Sequence, residues 1–278
     1  MSRAVALVTG VAPGSLGEAT AAALREQGYR VLTTTRGCAE GEDQHPLELT
    51  DRDSVARLAA WVARTTERLD VLVNNAGIHL DLASHWSEPQ RVEGYEVHWR
   101  TNYLGTAHLT RLLVPTLLAT AEREGEARVV NVVSRLHARG RNEGLDGHLV
   151  PYDSATAYGT SKLALVHEAR ELERRYGGRG LHAYAVHPGT VSTGLAERGL
   201  EGAPVLRRLR RVLLPLERRG LRGPEQGART TVFCATSTAA QPGGYHRGSA
   251  PSAPAAAALD DEAGRLLWEA TSRWVEEP

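Results

Sequence analysis

Tyr158 and Lys162 stand four residues apart in "AYGTSKLAL", and Lys162 is the only lysine in a chain of 278 residues whose other basic side chains, among 33 Lys and Arg, are all arginine. At i and i+4 the two share one face of a helix. A free phenol ionises near pH ~10, too high for it to act as a base near neutrality. An adjacent ammonium favours the phenolate and is expected to lower that value. So paired, the tyrosine can hand a proton to a carbonyl oxygen or take one from an alcohol. Arginine substitutes poorly, because its planar fork cannot present a compact charge inside a tight pocket. A solvated Tyr–Lys pair on a helix surface is the other reading of these two residues taken alone.

A second chemical signal lies in "LVTGVAPGSLGEATAAAL", a strand, a glycine turn and a helix start. Gly10, Gly14 and Gly17 let the backbone pass close to a pyrophosphate held at the positive end of the helix. The spacing is neither GxGxxG nor a P-loop, and a glycine-rich turn with no ligand stays open as a reading. Arg36 closes the next strand, "RVLTTTR", where a dinucleotide fold usually carries an acid for the ribose 2′-hydroxyl. An arginine there suits a 2′-phosphate instead, which favours NADP over NAD. Glu40, Glu42 and Asp43 come soon after and would repel such a phosphate.

These residues need a frame. Short, continuously apolar runs ("AVALVTG", "RVLTTTR", "DVLVNNAG", "ARVVNVVS", "LHAYAVHPG") alternate with helical patterns over 18–27, 51–67, 94–123, 156–176 and 224–237. That alternation predicts a doubly wound parallel sheet covered on both faces, an α/β fold of Rossmann type. Only "GCAEGEDQH" separates "RVLTTTR" from "PLEL", so a loop or a single turn is expected there rather than a crossover helix. "GSAPSAPAAAA" reads as an extended surface segment before a last helix over 260–274.

Composition excludes several classes. With 33 Lys and Arg against 33 Asp and Glu the net charge is zero, so no global field favours nucleic acid or an anionic membrane. Two distant cysteines, Cys38 and Cys234, fit a reducing, cytoplasmic setting. The start "MSRAVALVTG" lacks the pattern of a signal peptide, and the apolar stretch "LLVPTLLATA" is too short to span a bilayer. No histidine spacing suggests zinc, and no metal is expected.

Taken in order, "TGVAPGSLG", "DVLVNNAG", "RTNYLG", "VVNVVS", "YGTSK" and "HPGTVST" resemble the short-chain dehydrogenase/reductase family over roughly residues 3–238. "GYEVHWRTNYLG" and "GGYHRG…LDDEAGRLLWEATS" are similar to its retinol-dehydrogenase-like branch. The resemblance implies a catalytic set of Asn102, Ser134, Tyr158 and Lys162. Ser134 would bind the substrate carbonyl; Val133 stands at the other position of the serine pair, so Ser134 alone is available. Asn102 would hold a water against the lysine. The cofactor site it implies comprises Gly10, Gly14, Ser15, Leu16 and Gly17 at the phosphates, then Arg36, Glu48, Leu49, Asn75, Ala76 and Gly77 along the adenosine half. Tyr158, Lys162, Pro188, Gly189, Val191 and Thr193 complete it at the nicotinamide half. Asn74 and Asn131 read as sheet braces, and His187 as structural.

The sequence also departs from the family pattern. "GSLG" carries one residue more between its glycines than the usual loop, Pro13 removes an amide donor, and Glu48 replaces the usual aspartate. Ser134 precedes Tyr158 by a long insertion, "RLHARGRNEGLDGHLVPYDSAT", whose polarity suggests a loop over the pocket mouth; its Tyr152 has Thr156, not lysine, four residues on.

The expectation is one domain over 1–278, with a substrate lid at about 190–222 and a C-terminal extension at 240–278. Its arginine-rich lid could be a solvated face over an apolar wall, a docking patch for an anionic carrier, or a peripheral membrane contact. The function expected is NADP-dependent hydride transfer between nicotinamide and a carbonyl or alcohol, as a ketoreductase on a hydrophobic small molecule. Non-redox proton transfer (epimerase, dehydratase or cyclase) and a non-catalytic NADP-binding role are the alternatives. A homodimer or homotetramer would be built on the helices over 94–123 and 156–176.

Overall fold

In the computed structural model, residues 3–80, 88–189 and 223–276 are described. In chain order the elements are β1 (Val5–Val8), α1 (Leu16–Glu26), β2 (Arg30–Thr35), β3 (Gln44–Pro46), α2 (Arg52–Thr65), β4 (Val71–Asn74), β5 (Arg91–Val92), β6 (Tyr95–Glu96), α3 (Gly105–Glu124), β7 (Ala127–Val132), α4 (Ser154–Tyr176), β8 (Leu181–His187), α5 (Pro224–Thr236), β9 (Tyr245–Arg247), β10 (Pro251–Ser252) and α6 (Asp261–Glu276). The main sheet runs β10-β9-β8-β7-β4-β1-β2-β3. Its pairings are parallel except β9 with β10. This is the doubly wound architecture the apolar runs imply. β2 and β3 pair in parallel with no helix between them, as their short connection requires.

Alternate strand residues feed two cores, which is why the central strands are mostly apolar on both faces. Leu7, Leu32, Leu72 and Val129 face α2, α3 and α4 through Leu58, Leu113 and Leu165. Val8, Val31, Val73 and Val130 face α1 and α5 through Leu24 and Val232. Helix starts track their caps. Ser15 accepts from Glu18 N at 3.2 Å, so α1 begins before position 18. Asp153 accepts from Thr156 N at 2.8 Å and starts α4 at Ser154.

Two expectations need correction. The helix expected over 94–123 does not begin at 94: β5 and β6 form a hairpin turned by Glu93 (φ 51°) and Gly94 (φ 83°), the two positive φ values of a primed turn. A wide, π-type turn, Trp99–Leu104, then leads into α3. The insertion after Ser134 is not a loop over the pocket mouth, for beyond Leu136 it folds back onto α4 and the C-terminal segment. There Arg141 N donates to Thr160 Oγ1 at 3.2 Å, Asn142 Nδ2 to Ala257 O at 3.0 Å, and Ala255 N to His137 Nε2 at 3.0 Å. "GSAPSAPAAAA" is, as expected, a mostly exposed segment before the last helix; it supplies β10 and a short 3₁₀ turn whose Ala258 is fully buried.

Helix α6 covers the outer side of α3 and α4. Trp268 and Trp274 are buried, the Arg111 guanidinium lies 3.2 Å from the Trp268 ring centre, and Tyr103 shares a 2.7 Å hydrogen bond with Thr271. The lid at 190–222 lies outside the described residues.

Candidate active site

Sheet order reverses at β1, whose neighbours β2 and β4 are reached by chains leaving in opposite directions. Such a switch point opens a crevice at the carboxyl ends of the strands. Here it is a cavity of about 680 Å³. The glycine turn forms its floor: a Cβ on Gly10 (φ 74°) would lie 2.8 Å from Ala76 Cα, and one on Gly17 would meet Gly10 O at 2.5 Å. Helix α1 points its first amides at this space. One of the loop amides is already engaged, since Gly14 N donates to Glu18 Oε2 at 2.6 Å.

Along one wall lie Gly10, Gly14, Ser15, Leu16 and Gly17, then Arg36, Glu48 and Leu49, then Asn75, Ala76 and Gly77; Ser134, Tyr158, Lys162, Pro188 and Gly189 line the other end. Val191 and Thr193 lie outside the described residues. Asn75 also braces the turn, its Nδ2 donating to Thr9 O at 2.7 Å. The Glu48 carboxylate accepts from Thr50 N and Thr50 Oγ1, at 3.0 and 2.8 Å, while remaining in the cavity wall. Arg36 is exposed at the rim. Two of the three nearby acids are turned to other bases: Asp43 pairs with Arg30 at 2.7 Å, and Glu40 stands 3.8 Å from His45.

At the far end, α4 delivers Tyr158 and Lys162, each 5% exposed, against the end of β7. Ser134 comes just after β7 and its hydroxyl lies in the same cavity wall as Tyr158, accepting from Leu136 N at 3.2 Å. Lys162 Nζ donates to Val132 O at 3.1 Å and lies 5.9 Å from the centre of the Tyr158 ring. Asn102 is fully buried behind the wall, in the π-type turn. Its amide clasps Ile78, accepting from the N–H at 2.8 Å and donating to the carbonyl at 2.9 Å, and donates to Ser161 Oγ at 3.2 Å. Asn74 and Asn131 hydrogen-bond each other at 2.9 Å between β4 and β7.

The electrostatics correct one expectation. Burial pushes the Tyr158 phenol up to about 12, against a smaller lowering by the Ser134 hydrogen bond, and pushes the Lys162 ammonium down to about 8. The lysine does not bring the phenol down in the protein alone, because both groups are withdrawn from water and each favours its neutral form. At neutral pH the phenol is protonated and the lysine still charged, which is the state suited to giving a proton away.

Two histidines escaped the sequence reading. His79 lies stacked on Tyr158, ring centres 3.9 Å apart and planes 11° apart, and His98 meets the same ring edge-on at 5.8 Å. His98 stands four residues before Asn102, so the spacing could have paired them on one helical face; nothing in the sequence signals the stacking of His79. Among the described residues, no group of three or more His, Cys, Asp or Glu could hold a metal ion, and no helix is long and apolar enough to cross a membrane.

A crevice over a parallel sheet, floored by a glycine turn and ended by a Tyr–Lys pair, defines a nucleotide-dependent oxidoreductase of the α/β class. The model of the short chain dehydrogenase family matches residues 4–202, and the chain belongs to that family. It is 34% identical to dehydrogenase/reductase SDR family member 13 of Homo sapiens, over 96% of this chain and 72% of that protein. It is 30% identical to human retinol dehydrogenase 13, over 97% of this chain and 83% of the relative. Among solved structures, an uncharacterized protein from Mycobacterium paratuberculosis superposes with a TM-score of 0.72 at 29% identity, covering 99% of this chain and 94% of that one. The protein is thus an NAD(P)-dependent dehydrogenase/reductase of the retinol-dehydrogenase-like branch.

Proposed function

We propose that the protein is an NADP-dependent ketoreductase acting on a hydrophobic small molecule, in a single domain working in the cytoplasm. One observation carries the reading: a single cavity joins the glycine turn and Arg36 to Ser134, Tyr158 and Lys162. The loop from Gly10 to Gly17 would hold the pyrophosphate, the missing Cβ atoms at its two ends letting the turn pack tightly against Ala76 and on itself. Arg36 would pair with a 2′-phosphate, and the engagement of Asp43 by Arg30 supports this by removing a competing charge. Leu49, Asn75, Ala76 and Gly77 would flank the adenosine half, Pro188 and Gly189 the nicotinamide half.

When bound, the nicotinamide supplies or accepts the hydride. The chain's own part is the proton. Ser134 and Tyr158, which line the same cavity, would converge on the carbonyl oxygen. Ser134 donates a hydrogen bond, and Tyr158 gives up its proton as negative charge grows there. The Lys162 ammonium, anchored on Val132 O, would keep a positive charge beside the site as the proton leaves. Asn102 fixes the loop at Ile78. The apolar side chains of Ile78, Val133 and Leu136 in the wall support a hydrophobic substrate.

The test monitors NADPH absorbance while ketones and aldehydes are supplied. Reduction with steady loss of absorbance is expected, and Tyr158→Phe should lower it by about 10²–10⁴-fold with NADPH still bound. Product appearing with no absorbance change would replace this reading with non-redox proton transfer, and an undiminished Tyr158→Phe would overturn it.

A further inference from the structure

The segment 77–80 passes directly in front of Tyr158, and the positions on either side of His79 are fixed by side chains from the approach to α3. Asn102 closes both hydrogen bonds of Ile78, at 2.8 and 2.9 Å. Leu80 N donates to His98 Nε2 at 3.0 Å. That bond leaves Nδ1 of His98 to carry the ring proton, which it donates to Glu96 Oε1 at 2.7 Å. The other oxygen of Glu96 accepts from Trp99 N at 2.8 Å. Glu96, His98 and Asn102 are all buried, so this staple is shielded from competing water.

Held on both sides, His79 has its imidazole flat against the phenol at 3.9 Å and 11°, within the cavity and 8% exposed. His98 closes the edge at 83°. A tyrosine carries its hydroxyl at the far end of the ring, so a small swing about χ1 moves the oxygen most. About 1 Å of misplacement costs up to about 10²-fold in rate.

We propose that His79 is a positioning residue: stapled through Ile78 and Leu80, it clamps the Tyr158 ring and sets where the phenol hydroxyl points in the cavity. The inference rests on Tyr158 as proton donor for its kinetic consequence, but not for its geometry.

The experiment places a fluorinated tyrosine at position 158 and records fluorine NMR in three backgrounds: native, His79→Phe and His79→Ala. One narrow resonance is expected in the native protein and in His79→Phe, which keeps a flat ring, and a broadened or divided one in His79→Ala. In parallel, with all-trans-retinal as the carbonyl probe, His79→Ala should lower kcat about tenfold at unchanged NADPH affinity, and His79→Phe should restore it to within about twofold. A fluorine resonance indifferent to His79→Ala overturns the proposal. So does a His79→Phe variant that binds NADPH normally yet broadens like alanine. The NMR arm needs no turnover, so it decides the clamp even where the carbonyl-reduction reading fails.

Discussion

Lys162 Nζ donates to the carbonyl oxygen of Val132 at 3.1 Å, which ties α4 to the strand that delivers Ser134. The ammonium is thus pinned to the backbone two residues from Ser134, and burial lowers it to about 8. Below that value it is charged; above it the charge is lost. Tyr158, at about 12, stays protonated throughout the same range. We therefore expect kcat/KM for carbonyl reduction to be level below pH about 8 and to fall above it with the loss of one proton, the opposite of what a limiting phenolate base would produce. A pH profile of NADPH-dependent reduction checks this.

Arg36 is expected to set the cofactor preference. Removing a charge-assisted hydrogen bond costs about 1.5–3 kcal/mol, so Arg36→Leu should weaken NADPH by roughly 10–150-fold while leaving NADH nearly unchanged. Fluorescence titration with both nucleotides measures the ratio.

Glu18 places a carboxylate on Gly14 N, where a pyrophosphate oxygen would otherwise accept. Glu18→Gln keeps the shape and removes the charge. A charge at a helix N-terminus is worth about 0.3–1 kcal/mol, so NADPH should bind about two- to five-fold more tightly, by the same titration. The isolated protein should lose a little stability for the same reason.

The α6 cover should be a stability element. Trp268 is 8% exposed and lies between Arg111 and Arg175, whose guanidinium carbons are 3.2 and 4.6 Å from its ring centre. Trp268→Ala should cost about 3–5 kcal/mol, read as a lower midpoint in urea unfolding. It would also wet the buried Arg111–Glu168 ion pair beneath, 2.8 Å apart.

Much of this was legible in the sequence because it depends on local pattern. Runs such as "ARVVNVV" are mostly apolar, with Arg128 and Asn131 the exceptions, because both faces of β7 are covered, and Tyr158 and Lys162 share a face because helices repeat. The Glu93–Gly94 turn was missed because the helical periodicity of α3 extends smoothly back through it, and only the paired positive φ values end it. The His79 stack was illegible for another reason: it depends on the path of a loop relative to a helix far along the chain. The direction of the Tyr158 shift depends on how completely water is excluded, which spacing does not encode.

The fold-back of the region after Ser134 onto the residues around Ala257 has a consequence for cutting the chain. His137 and Asn142 each commit a polar side chain to the backbone of that later segment, and His167 Nε2 meets Asn142 Oδ1 at 3.1 Å from α4. Two stretches widely separated in the chain therefore form one packing unit. A homologue given one stretch without the other would carry imidazoles and an amide stranded beside apolar helix, so chimeras cut between them should fold poorly even when every catalytic motif is retained.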